Sequence, residues 1–156
     1  MATTSRVPAA ITELLAILRA APALSGVRVV DGPEPTNLSD RQFVFVGWQP
    51  GADAAVQLVQ DFNSAGARTR DENFTIACYA ETRGGDKDMA LRRTRVFELV
   101  AAVEDALRAT NSAPTAPTLN GAVLWSHLTT GSLQQVQSND GAVAGLAFSV
   151  SCRARI

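Results

Sequence analysis

The residues of this chain that could do chemistry are few, and their spacing does not assemble them. The single histidine, His127, lies two residues beyond Trp125 on a predicted strand, so the two rings share a face. Two cysteines occupy strand positions among large apolar neighbours: Phe74, Ile76, Cys78 and Ala80 alternate on one strand, and Leu146, Phe148, Val150 and Cys152 on another. A metal site needs three or four ligands, and one histidine with two apolar-face cysteines is a poor set. A Cys–His nucleophile pair needs an exposed, polarised thiol, and nothing in the sequence near either cysteine would lower its pKa. Buried cysteine behaves as a small hydrophobe, so two reduced core thiols are expected, ahead of a disulfide between neighbouring strands.

The carboxylates are no better placed. Asp71 and Glu72 open a strand just after Arg68 and Arg70, which reads as a solvated surface of alternating charge. Glu98, Glu104 and Asp105 lie along a helix, but Glu98 and Glu104 are not at i,i+4 spacing and build no site together. The phosphate-cradling GxxxxGK[ST] and GxGxxG patterns are absent, as are HExxH, CxxC and GxSxG. We therefore assign no catalytic, cofactor-binding or metal residue and expect a protein that is not an enzyme.

Composition narrows the partners. The 156 residues are 46% apolar and 19% charged, with a formal net charge of −1. A single domain of this size buries roughly 68–70% of its unfolded surface and needs no metal or disulfide to fold. The near-zero charge gives no overall field for nucleic acid or an anionic membrane. Arg92, Arg93 and Arg95 are the one local basic cluster, too small to predict sequence-specific nucleic-acid binding. No apolar run reaches the ~18 residues of a membrane span. The N-terminal stretch superficially resembles a signal peptide, but Glu13 interrupts its apolar part. An amphipathic helix carrying Val7, Ile11, Leu14, Leu15 and Leu18 explains it better, and the expected compartment is the cytoplasm. The sequons at Asn37 and Asn73 then carry no meaning.

The elements that would position these residues read as helix, strands, helix, strands. The first helix, with Ser5 as cap and Pro8 in its first turn, ends near Ala20, before Pro22. Val27–Asp31 is a short strand, and Gly32–Asp40 a proline-containing loop. Gln42–Trp48 is apolar on both faces, as a central strand with two covers would be, the second cover being another subunit or something else. Ala54–Phe62 alternates and pairs through a turn at Asn63–Ala67 with a strand over Gly66–Thr82. Asp86 is expected to cap a helix reaching about Ala109, on the order of 35 Å long. Met89, Val96, Val100, Val103 and Leu107 form its apolar stripe. Thr110–Asn120 is a polar loop. Ala122–Thr130 and Leu133–Gln137 read as two strands separated by a turn or bulge at Gly131-Ser132. Asn139-Asp140-Gly141 is a hairpin turn into the closing strand, Val143–Arg155. The sum is a single α+β domain over residues 1–156, a mixed, mostly antiparallel sheet packed by two helices.

Three residues stand out. Arg93 falls by helical spacing inside the apolar stripe, where it must pair, snorkel along the helix edge or face another subunit. Trp48 ends the central strand, where an aromatic serves either as core or as an interface anchor. Trp125 reads as core.

Order and spacing together resemble the tail-terminator and tail-completion (minor tail) proteins of long-tailed bacteriophages, of the actinobacterial-phage type. The likeness runs through VPAAITELLAILRAAPALSGVRVVDGP, QFVFVGW, GARTRDENFTIACYAET, the helix ending in EDALRA, and VLWSHLTTGSLQQVQSNDGAVAGLAFSVSCRARI. Its sharpest cues are Gly66, Ala67, Arg68, Arg70 and Glu72, and the closing strand with Arg153 and Arg155. The resemblance implies a structural protein of the virion, assembled in the host cytoplasm, that caps the tail tube as a homo-hexameric ring. It implies contacts with the tube protein and the head connector, and no cofactor or membrane. Trp48, Arg68, Arg70, Arg93, Asn139, Asp140, Arg153 and Arg155 are the expected interface residues. The alternatives are another neck protein, for head–tail joining or tail completion, or a non-viral peptide-binding module.

Overall fold

Period-2 alternation dominates the chain, and six strands join in one sheet. The computed structural model describes residues 3–33 and 41–156. Helix α1 (Val7–Ala20) leads through a 3-10 turn at Pro22–Leu24 into β1 (Arg28–Asp31), β2 (Gln42–Val46), β3 (Val56–Phe62) and β4 (Arg70–Arg83). Helix α2 (Met89–Ala106), a 3-10 turn at Ala116–Thr118, β5 (Trp125–Ser138) and β6 (Gly141–Arg155) complete the domain. The sheet runs β1-β2-β4-β6-β5; β1 and β2 are parallel and the other pairs antiparallel. Along one edge, β4 takes β2 at residues 78–82 and β3 at residues 70–76, while β6 lies along its other edge. Gly47 makes this possible. Its positive φ turns the chain out of β2, so that β3 resumes along the same edge of β4.

Both helices lie on one face of the sheet. Phe74, Ile76, Cys78 and Ala80 of β4, with Leu146, Phe148, Val150 and Cys152 of β6, point at Ala10, Leu14 and Leu18 of α1 and Val96, Leu99, Val100 and Val103 of α2. The opposite face carries a smaller cluster of Val30, Phe43, Phe45 and Tyr79, with Trp48 and Ala147 packed against it. Central strand β2 is therefore apolar on both sides for the expected reason. Trp48 covers it edge-on, 5.2 Å from Phe45 and 5.7 Å from Tyr79.

Several expectations need correction. Helix α2 begins later and ends earlier, at 18 residues about 27 Å long. Its cap is Asp88, whose Oδ1 accepts the Leu91 N–H at 3.0 Å, while Asp86 Oδ1 accepts the Asp88 N–H instead. The apolar stripe of Val96, Val100 and Val103 is as expected, but Arg93 lies exposed outside it and Arg92 is the inward arginine. Arg92 Nη1 donates to the Arg83 carbonyl at 2.9 Å, and Thr82 Oγ1 donates to the Arg92 carbonyl. The two strands expected over Ala122–Gln137 are one strand, β5, with a bulge at Thr129 where pairing shifts between Leu128 and Thr130. Gly131 stays extended opposite Phe148 and breaks nothing. Thr110–Asn120 is no free loop, because Ala116 and Leu119 are buried. Trp125 is not core: it lies on edge strand β5 and is 39% exposed. The Pro-containing stretch 34–40 lies outside the described residues, including most of the Gly32–Asp40 loop.

Candidate assembly surface

Four of the five expected interface arginines meet at one corner. Antiparallel pairing of β4 with β6 sets Asp71 opposite Arg155, and Asn73 opposite Arg153, so that Asp71 stands between the two guanidinium groups. Asp71 Oδ1 accepts from Arg155 Nε at 2.8 Å, and Oδ2 from Arg153 Nη2 at 2.9 Å. These bonds, Arg155 first, hold the Asp71 carboxyl below its ordinary value, against the opposing effect of burial. Arg68 and Arg70 enter the same corner from the β3–β4 turn. Together with Thr3, Arg6, Arg155 and Ile156 they line an open hollow of about 360 Å³. The guanidinium groups of Arg68 and Arg70 have no hydrogen-bond or ion-pair partner among the described residues. Four of the eight expected interface residues thus converge through strand register.

The other four are scattered. Trp48 is half-buried in the aromatic cluster of the outer face. Arg93 is exposed, its Nε donating to Gln135 Oε1 of β5 at 2.7 Å. Asn139 and Asp140 are exposed at the tip of the β5–β6 hairpin. Only Gly141 carries positive φ there, and its missing Cβ lets the Gly84 carbonyl approach.

Asp71 and Glu72 are not the solvated pair expected. Both are buried, and Glu72 completely so. Glu72 Oε1 accepts the Arg6 N–H at 2.8 Å, and Oε2 accepts from Gln60 Nε2 at 2.6 Å. Its charge lies at the N-terminus of α1, where unpaired amide donors and the helix dipole favour an anion.

The residues considered for chemistry do not form a site. Cys78 and Cys152 are free thiols in the helix-side core, each pushed up to about 12 chiefly by burial. His127 pairs with Ser151, whereas Ser126 pairs with Cys152, so the histidine faces away from the thiols. It rests against Trp125 at 4.9 Å between ring centroids. Among the described residues no group of three or more His, Cys, Asp or Glu is placed to hold a metal ion. No helix there is long and apolar enough to cross a membrane.

Sequence reasoning missed a set of exposed apolar side chains. On β3, Leu58, Val59 and Phe62 are exposed, Phe62 by 69% and Val59 by 62%. Phe97 of α2 is 50% exposed, and Leu133 and Val136 stand out on β5. Phe97, Val100, Ala101, Glu104, Leu128 and Leu133 are among the residues lining a groove of about 490 Å³ between α2 and β5. The signal was present in β3, where apolar residues occupy both faces of a short strand that pairs on one edge only.

The fold has a counterpart in a solved virion structure. Over 99% of this chain and 100% of the other, it matches a chain in the structure of the virion of a native gene transfer agent (GTA) particle, with a TM-score of 0.66. Sequence identity is 13%, so the likeness is one of fold. No protein-family model matches the sequence, and no curated protein matches it.

Proposed function

We propose that this protein is a structural component of a phage-like virion, placed at the neck, where it closes the tail tube as a ring and offers a surface to the head connector. The observation that carries this is the end-to-end match of its fold to a virion chain, with neither chain leaving a substantial part unmatched. The resemblance of QFVFVGW, GARTRDENFTIACYAET and the closing strand to tail-terminator proteins supplies the position in the particle. The surface supports the reading physically. An arginine corner with the exposed apolar strand β3 beside it, and an apolar groove between α2 and β5, give one small domain two unlike patches, as a head-to-tail contact requires.

Light scattering of the purified protein followed by negative-stain imaging tests the ring. Annular particles of six copies are expected. A protein that stays monomeric at high concentration and joins no ring when mixed with the tail-tube protein of the same particle would overturn it. Binding to connector alone would favour a head–tail joining role.

A further inference from the structure

We infer that the β3–β4 hairpin of one copy seats in the α2–β5 groove of the next, with Phe62 entering between Phe97 and Leu133 and with Arg68 and Arg70 facing Glu104. This rests on the ring reading and names the two surfaces that would make the ring.

The hairpin has the properties of an inserted element. Phe62 ends β3 and is the most exposed large apolar side chain among the described residues. By register it opposes Arg70, so it shares the sheet face of Leu58 and Val56. Neither helix reaches far enough to cover that end, and Leu58 and Phe62 remain in water. Such a cluster on a short strand is costly to leave exposed and marks a contact surface.

The groove has the matching properties. Its floor is the core itself, Val100, Leu146 and Phe148, and its walls are Phe97 and Leu133, both partly in water. One carboxylate, Glu104, lies in the lining. Its partner in the free protein is Arg108, at 2.8 Å on the solvent side of the helix, where 65% of that side chain is exposed. Asp105 lies beside it and also reaches Arg108, at 3.5 Å. The groove is therefore apolar with a single carboxylate at its rim, which Arg108 shares from the solvent side. The hairpin exposes Leu58, Val59 and Phe62 and carries Arg68 in its turn and Arg70 at the start of β4, neither with a partner among the described residues. Charge complementarity selects a second copy of this chain as the occupant and fixes its orientation. Because hairpin and groove are different surfaces, the contact is head-to-tail. A reciprocal exchange would close a pair; repeated in one direction the contact closes a ring, and the length of the cross-linked ladder distinguishes the two.

Cysteine cross-linking tests the contact directly, since both native thiols are buried. Phe62→Cys and Leu133→Cys proteins, each folded by circular dichroism, are mixed and oxidised. A disulfide dimer containing one of each is expected, with a ladder to six when both changes are in one chain. Phe62→Glu should lower the ring fraction at least tenfold. Arg68→Glu with Arg70→Glu should do the same, and Glu104→Arg in that background should restore part of the loss. Wild-type rings with no mixed cross-link, and unchanged rings from Phe62→Glu, would overturn the contact while leaving the ring reading intact. A mixed cross-link without wild-type rings would support the contact and remove the closed ring. Cross-linking of Leu133→Cys in assembled particles solely to a different protein would assign the groove to that protein and overturn the inference.

Discussion

The carboxylate of Glu72 accepts the backbone N–H of Arg6, tying the start of the first helix across 66 residues of sequence to β4, the strand that pairs with three others. Gln60 of β3 donates to the same carboxylate and also to the Thr4 carbonyl, so three segments meet on one buried charge. The arrangement fixes where α1 begins, and with it the depth at which Leu14 and Leu18 enter the core.

Removing that acceptor should be expensive for so small a change. Glu72→Ala leaves a buried helix-end N–H and the Gln60 amide without their partner, and a loss of about 2 kcal/mol is expected. That corresponds to a midpoint lowered by about 5 °C. Thermal unfolding followed by circular dichroism measures it, and an unchanged midpoint would refute the anchoring role. Thr12→Ala, at an exposed position of the same helix where the hydroxyl donates only to the Pro8 carbonyl one turn back, serves as the comparison.

Asp71 makes stability depend on pH at the acid end. Its folded pKa is depressed below the ordinary 3.8 by Arg155 and Arg153. The unfolded state therefore takes up the proton first as pH falls, and the contribution, fully present above about pH 4, is lost as pH drops through the lowered value. Urea unfolding at pH 6 and at pH 3 should show a smaller pH difference in Asp71→Asn than in the wild type. Equal differences would show that this carboxylate contributes nothing to acid sensitivity.

Both thiols should be silent in the folded protein. With each pushed up to about 12 by burial, the thiolate fraction at pH 8 is negligible. Ellman's reagent should label no thiol in native protein and two after denaturation. Rapid labelling of the native protein would contradict the core placement.

Gly145 marks a close approach rather than a flexible point. A Cβ there would collide with the Tyr79 ring and hydroxyl on the neighbouring strand. Gly145→Ala should lose about 1–3 kcal/mol, the usual cost of overpacking. Tyr79→Leu in the same protein should recover part of it. If the two changes simply add, the collision is not the cause.

Much of the fold was legible because the residues that make it act locally. The alternation of Phe74, Ile76, Cys78 and Ala80, and of Leu146, Phe148, Val150 and Cys152, requires only a strand with one buried face. The Asn139-Asp140-Gly141 turn required only its own residues. What escaped depended on long-range placement. Glu72 looks solvated beside Arg70 until α1 is known to begin above it. Arg92 and Arg93 flank the same apolar stripe, and which of them turns inward depends on distant partners, the Arg83 carbonyl for Arg92 and Gln135 for Arg93. Arg68, Arg70, Arg153 and Arg155 could each be singled out, but their meeting at one corner is a product of the β4–β6 register. Phe62 and Phe97 escaped for the opposite reason: their apolar character predicts burial, and the described residues supply no cover.

The central claim is the position in the particle. Immunogold electron microscopy, using an antibody to this protein on particles made by the genome that encodes it, tests that position directly. Gold confined to the junction of tail and head, once per particle, is the predicted result. Label spread along the tail, gathered at its far tip, or absent from purified particles would contradict the account.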